Sequence, residues 1–305
     1  MGKILLFYKY VDLEYQKQVQ KWLQKLCADL RLTGRIIVAH EGINATVGGS
    51  EKNTEIFKKA LEKDQRFTNI DFKESEGGEQ CFPRMRIIVK NEIVYLGLDP
   101  KTVTAKNGGK HLTPEETHNL IAQKPDDLVI LDARNDYEWR IGAFEGAIKP
   151  DIEHFRQFPK FVDDNLEQFK DKQVLMYCTG GIRCERASTY LKEKGVAKNV
   201  YQILGGIHRY AEQFPDGFFR GKNYVFDDRV AVRVNDDILS TCTLCPTPCD
   251  DYTNCLNATC NEHFIACPAC IEKYGNTCSA ACQELLRTEA VKPRPQRNVV
   301  NACQL

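Results

Sequence analysis

The sequence has no surplus of charge, no membrane-length apolar run and no internal repeat. Lys+Arg and Asp+Glu each total 42, so the net charge is zero and no global attraction to nucleic acid or anionic lipid is expected. A polyanion would have to be held by a local patch. No window approaches the roughly 18 consecutive apolar residues of a spanning helix. The first residues, MGKILLFYKYVDLEYQ, turn polar too soon for a secretory signal and carry no small-residue cleavage site. A cytoplasmic protein with no membrane partner is expected. Flavin, haem and nicotinamide motifs are missing, as is a two-His-one-carboxylate iron site.

Cysteine is what the chain has in quantity, and its 14 cysteines are unevenly spread. Cys27, Cys81, Cys178 and Cys184 are scattered, nine fall between Cys242 and Cys282, and Cys303 lies near the end. Without a secretory signal, such a cluster favours metal binding over a disulfide framework. The 305 residues leave room for two or three compact units.

Periodicity divides the chain. Residues 3–9 read as a strand. Asp12 is placed to cap a helix whose apolar positions are Val19, Trp22, Leu23, Leu26 and Leu30. Strands are expected at Arg35–Ala39 and Ala45–Val47, then a helix bearing Ile56, Phe57, Ala60 and Leu61. A further strand is expected near Ile70–Lys73, with Met85–Val89 and Ile93–Tyr95 as extended candidates. The order β-α-β-β-α-β predicts a ferredoxin-like α+β domain over 1–98. Residues 99–112 read as a linker. Thr113-Pro114-Glu115-Glu116 is a strong helix start. Apolar runs ending at Asp132, Cys178 and Gly205, with helices between, predict a parallel α/β sheet domain over 113–222. Its functional residues should gather at the carboxyl ends of the strands. Residues 223–287 form a cysteine-rich segment, and 288–305 are expected to be a disordered tail.

Cys178-Thr179-Gly180-Gly181-Ile182-Arg183 joins a strand to a helix. Such a loop turns backbone N–H groups toward the cysteine sulfur, and the helix N-terminus adds its positive end. Both favour the nucleophilic thiolate. Gly180 and Gly181 permit a tight ring. Arg183 adds a positive charge, and Cys184 is a candidate resolving thiol. Asp132 and Arg134 are expected to pair and support the loop. Four residues separate Cys178 from Arg183, one fewer than in the phosphate-sized cradle of cysteine-dependent phosphatases. The smaller ring suits a sulfane sulfur. The segment resembles a rhodanese (sulfurtransferase) domain: Asp132-Ala133-Arg134, Glu138, Gly142 and Gly146-Ala147 follow its first-strand motif, and Leu204-Gly205-Gly206 its last. Residues 142–146 (GAFEG) lack the Gly-His usual in that family.

Among the clustered cysteines, Cys242/Cys245 and Cys267/Cys270 have metal-knuckle spacing, and Cys255/Cys260 alternates with Cys278/Cys282. A cross-braced pair of tetrathiolate zinc sites is expected, the first joined to the third pair and the second to the fourth. Cys249 and His263 remain as spare ligands. Fully protein-supplied coordination makes the zinc structural.

The whole order, with Glu41-Gly42-Ile43-Asn44-Ala45-Thr46 before the rhodanese segment and cysteines after it, resembles the bacterial rhodanese-domain tRNA uridine hydroxylase family. The resemblance implies oxygen-dependent 5-hydroxylation of the wobble uridine of tRNA, with Cys178 as a persulfide-type active-site residue. It also implies molecular oxygen as co-substrate, tRNA as partner, and a sulfur or electron donor protein. RNA contacts are expected at Arg84, Arg86, Lys90 and Arg186, with Lys101, Lys106, Lys110 and Arg183 as further candidates. Two other readings stay open: a sulfurtransferase passing sulfane sulfur to a thiol, and a non-enzymatic partner-binding protein.

Overall fold

The computed structural model describes residues 2–295. It begins with β1 (Gly2–Tyr10), α1 (Gln16–Asp29), β2 (Thr33–Ala39), β3 (Gly42–Ser50), α2 (Glu51–Glu62), β4 (Lys73–Glu76) and β5 (Met85–Val89). The sheet order is β4-β1-β3-β2-β5, so a ferredoxin-like core carries one extra strand, β5, parallel to β2. Alternation along β1 decides its faces. Leu5 and Phe7 are buried in one core with Val19, Leu23, Phe57 and Leu61 of the two helices. By the period of two, Leu6, Tyr8 and Tyr10 lie on the helix-free face.

Three expectations in this half need correction. Asp12 does not cap α1: Tyr15 occupies that position, and the exposed Asp12 pairs with Lys106 at 2.8 Å. The backbone of residues 11–13 is committed to the β2–β3 turn, through Val11 N–H to Glu41 O and Leu13 N–H to His40 O. The strand expected near Ile70–Lys73 starts at its last residue. Ile70 and Phe72 instead pack against the core, and pairing with β1 begins at Lys73 opposite Leu6. Ile93–Tyr95 is not a strand, because Ile93 bonds the Glu41 and Asn44 side chains rather than a neighbouring strand.

The stretch read as a linker also contains structure. Lys110–Leu112 is β6, the parallel edge strand of the next sheet. There follow α3 (Pro114–Gln123), β7 (Leu128–Asp132), α4 (Asp136–Trp139), β8 (Gly142–Phe144), α5 (Phe158–Asp164) and α6 (Leu166–Phe169). Next come β9 (Gln173–Tyr177), α7 (Ile182–Glu193), β10 (Asn199–Ile203), α8 (Gly206–Gln213), β11 (Phe219–Tyr224) and β12 (Ala231–Arg233). The sheet β6-β10-β9-β7 is parallel throughout, and its carboxyl ends deliver Asp132, Cys178 and Gly205 to one edge. Thr113 and Glu116 form the reciprocal capping box that starts α3. A smaller antiparallel sheet, β12-β11-β8, lies beside it.

The cysteine-rich end adds β13 (Tyr252–Asn254), β14 (His263–Ile265), α9 (Pro268–Tyr274) and α10 (Ala280–Arg287). Its buried cluster is built largely of cysteine, with Phe264 and Ile265. Residues 288–295 are held, contrary to the disordered tail expected. Pro293 bridges Asn257, and Arg294 N–H donates to Leu256 O at 2.6 Å. Residues 296–305 lie outside the described part.

Candidate active site

Cys178 emerges from β9 and is fully buried. Gly181 N–H donates to its Sγ at 3.2 Å. Burial alone would raise the thiol pKa, but a hydrogen bond from Cys184, the charge of Arg183 and the backbone N–H groups of residues 183 and 184 bring it down to about 6. At neutral pH these groups favour the thiolate over the thiol. Cys184 shows the reverse: burial first, then its bond to the Cys178 sulfur, keeps it protonated.

The ring depends on two glycines in the left-handed region. Gly181 has φ of 100°, and Gly206 (φ 64°) packs so tightly that a Cβ would lie 2.4 Å from the Cys178 carbonyl oxygen. Gly180 is not in that region; its lack of a side chain makes room for Leu6 of β1. Behind the ring, Ile207 and His208 N–H groups bond the carbonyls of Cys178 and Thr179, so α8 closes the loop from below.

Arg183 is not a free cation. It is nearly buried and forms a two-pronged pair with the fully buried Glu138, one prong at 2.7 Å. Burial works against the Glu138 carboxylate, but Arg183 holds its pKa below the usual range. The sequence motif contained Glu138 without revealing this partnership. Asp132 and Arg134 do pair, fully buried, at 2.7 Å. Arg134 also reaches the Gly142 carbonyl oxygen at 2.6 Å, which ties β7 to β8.

The helix-free face of the N-terminal sheet covers the loop. The Tyr10 hydroxyl donates to Ile182 O at 3.3 Å. That of Tyr8 donates to Glu185 at 2.8 Å, and the same carboxylate meets His111 at 3.0 Å and Gln202 at 3.2 Å. Sequence reasoning missed this network, because nothing local marks a strand tyrosine as the partner of a helix 177 residues away. Between sheet and loop lies a cavity of about 770 Å³. Cys178 and Arg183 line it with Tyr8, Arg35, Asn44, Asn223 and Phe226.

The expected RNA contacts divide. Arg84, Arg86 and Lys90 are exposed along β5, and register puts Arg86 beside Arg35 of the cavity wall. Lys101, Lys106 and Lys110 are exposed as well. Arg186 is not available. It is completely buried, paired with Glu92 and bonded to the carbonyls of Val103 (2.8 Å) and Leu98 (2.7 Å). Its place on the inward side of α7 was not visible from charge alone.

At the cysteine-rich end, the sulfurs of Cys242, Cys245, Cys267 and Cys270 lie within 4.8 Å of one another, as do those of Cys255, Cys260, Cys278 and Cys282. Each set could hold a metal ion, and each unites the alternating pairs that spacing suggested. Cys249 and His263 belong to neither set; His263 stacks on Tyr252 with centroids 4.4 Å apart.

The parallel sheet, the glycine ring and the stabilised thiolate define a rhodanese-domain protein with a thiol-centred site. Residues 113–213 match the rhodanese-like domain family. Residues 2–93 match a UPF0176 acylphosphatase-like domain, and 220–283 a rhodanase C-terminal domain. Similarity extends over whole chains. A tRNA uridine(34) hydroxylase of Streptococcus pyogenes is 37% identical over 300 residues, covering 95% of this chain and 90% of that one. One of Staphylococcus saprophyticus is 38% identical over 295 residues, covering 95% and 92%. The chain belongs to the tRNA uridine(34) hydroxylase family. No helix among the described residues is long and apolar enough to cross a membrane.

Proposed function

We propose that this protein hydroxylates the wobble uridine of tRNA at C5, with Cys178 as the reacting side chain and molecular oxygen as co-substrate. The observation that carries the reading is the Cys178 thiolate lining a cavity large enough for a nucleotide, in a chain that matches named hydroxylases along nearly its whole length. Replacing C5–H by C5–OH with one atom of dioxygen, and reducing the other to water, takes two electrons and two protons. A sulfur or electron donor protein is the class of partner that could supply them. Cys178 and the protonated Cys184 beside it form the dithiol through which they would pass: closing an S–S bond between the two sulfurs would release two electrons and two protons, and the donor would return the disulfide to the dithiol.

Two zinc ions, each held by four cysteine sulfurs, fit the two clusters. The donors are all soft and leave no open position, so zinc would support the fold and take no chemical part. Metal analysis of protein purified without chelators should return two zinc per chain; none would overturn the assignment. A cytoplasmic location accompanies a tRNA substrate. Nucleoside mass spectrometry of tRNA tests the activity. A deletion strain should lose 5-hydroxyuridine-derived nucleosides and regain them with the wild-type gene but not with Cys178→Ser. Unchanged tRNA, together with robust thiosulfate-to-cyanide transfer by the purified protein, would instead establish the sulfurtransferase reading that the ring alone suggests.

A further inference from the structure

Asn223 stands out in the cavity wall. Strand β11 alternates buried and half-buried positions, and its buried face carries Phe219, Gly221 and then Asn223. A polar residue in an inward register position is costly unless its groups are bonded. Asn223 is only 4% exposed, and among the described residues its Oδ1 has no hydrogen-bond partner. The residue lines the same cavity as Cys178. The next residue is tied to the active loop, because the Thr179 hydroxyl lies 3.4 Å from the Tyr224 carbonyl oxygen.

We propose that Asn223 reads the target base, its side-chain oxygen accepting the N3–H of uracil while its amide nitrogen donates to an adjacent carbonyl. The inference rests on the tRNA reading above and adds the residue that selects the base. A primary amide presents an acceptor and a donor side by side, which complements the N3–H and carbonyl edge of uracil. Holding uracil by that edge leaves C5, on the far side of the ring, free for the reacting sulfur.

The cavity rim suits the strand on either side of such a base. Tyr95 and Phe226 are large aromatic residues left 60% and 57% exposed, and both line the cavity. Arg35 and Arg156 line it too, and among the described residues neither makes an ion pair or a side-chain hydrogen bond. Exposed rings with unpaired arginines are the means by which single-stranded nucleic acid is held, through base stacking and phosphate contact. The net charge of zero is no obstacle, since these groups form a local patch.

The test uses the full-length, metal-replete chain and synthetic anticodon stem-loops carrying uridine, N3-methyluridine or cytidine at position 34. Binding is read by fluorescence anisotropy on Cys178→Ser protein, which cannot turn over. The uridine loop should bind about ten- to a hundredfold more tightly than either of the others, and Asn223→Ala should collapse that ratio toward one. Equal affinity for uridine and N3-methyluridine loops overturns the proposal without any variant at Asn223, so misfolding cannot obscure it. Equal affinity for cytidine also overturns it, since the amide would then not discriminate. A variant that keeps full discrimination does the same. These binding results stand apart from the nucleoside assay. Discrimination without 5-hydroxyuridine would fault the reaction and not the base reader; the converse would fault the base reader alone.

Discussion

At the scale of single residues, the site turns on a thiolate kept in a buried place. Cys178 titrates at about 6 against an ordinary 9, so its charged form is what the folded protein favours. The linked stability is complete above about pH 9 and is lost as the pH falls through 6, where the folded-state thiolate takes up its proton. Alkylation rate against pH should therefore show a midpoint near 6. Arg183→Ala should move that midpoint upward, because the charge that favours the thiolate goes and the Glu138 carboxylate is left bare nearby. The same change strands a fully buried carboxylate, so a loss of about 3–5 kcal/mol should appear in denaturant unfolding. An unchanged alkylation profile would show that backbone N–H groups and Cys184 alone hold the thiolate. Glu138→Gln separates the two effects, since it keeps Arg183 while removing the competing negative charge. It should lower the midpoint rather than raise it.

Among the elements, the loop between β9 and α7 takes its shape from α8 as much as from its own residues. Gly206→Ala places a Cβ 2.4 Å from the Cys178 carbonyl oxygen and 2.8 Å from Gly181 N, both backbone atoms that cannot step aside cheaply. The variant should unfold at lower temperature and show a raised Cys178 pKa; a wild-type titration curve would refute the claim that α8 sets the ring. This element was legible in sequence, because apolar runs ending at Asp132, Cys178 and Gly205 are local signals of parallel strands. The alternating cysteine pairs were legible for the same reason, their spacing being a local pattern. What escaped was set by partners distant in the chain. Asp12 could not cap α1 once Val11 and Leu13 on either side of it were bonded to the β2–β3 turn. Arg186 looked like any helix arginine until Glu92, 94 residues earlier, took it inside. Asn223 had a sequence signal, a polar residue in the buried register of an alternating strand, but its register depends on β12 and β8, which are too short to be recognised alone.

For the whole molecule, the question is what keeps the N-terminal sheet over the thiol. Tyr8 and Tyr10 contribute two hydrogen bonds across the contact. Arg186 contributes more. From α7, one turn beyond the active loop, it pairs with Glu92, lies 3.8 Å from Glu41 and bonds two carbonyls of the connection between the units. The far side of the cavity is anchored similarly, by Lys222 of β11 to Asp250 at 2.7 Å, which leads into the cysteine clusters. Both walls are thus fixed by ion pairs, one buried and one half-buried, and the cavity is a product of three units rather than of one. Arg186→Ala should leave Glu92 buried without its cation and cost about 3–5 kcal/mol. Arg186→Met with Glu92→Leu removes the unpaired charge but leaves the Val103 and Leu98 carbonyls and the Leu96 and Gly97 N–H groups without their side-chain partners, so it should recover only part of that stability. If Arg186 also sets the position of the sheet, the double variant should melt above Arg186→Ala while binding the uridine stem-loop no more tightly than it does. Recovery of both together would reduce Arg186 to a stabilising role alone, with the tyrosines left to hold the sheet over Cys178.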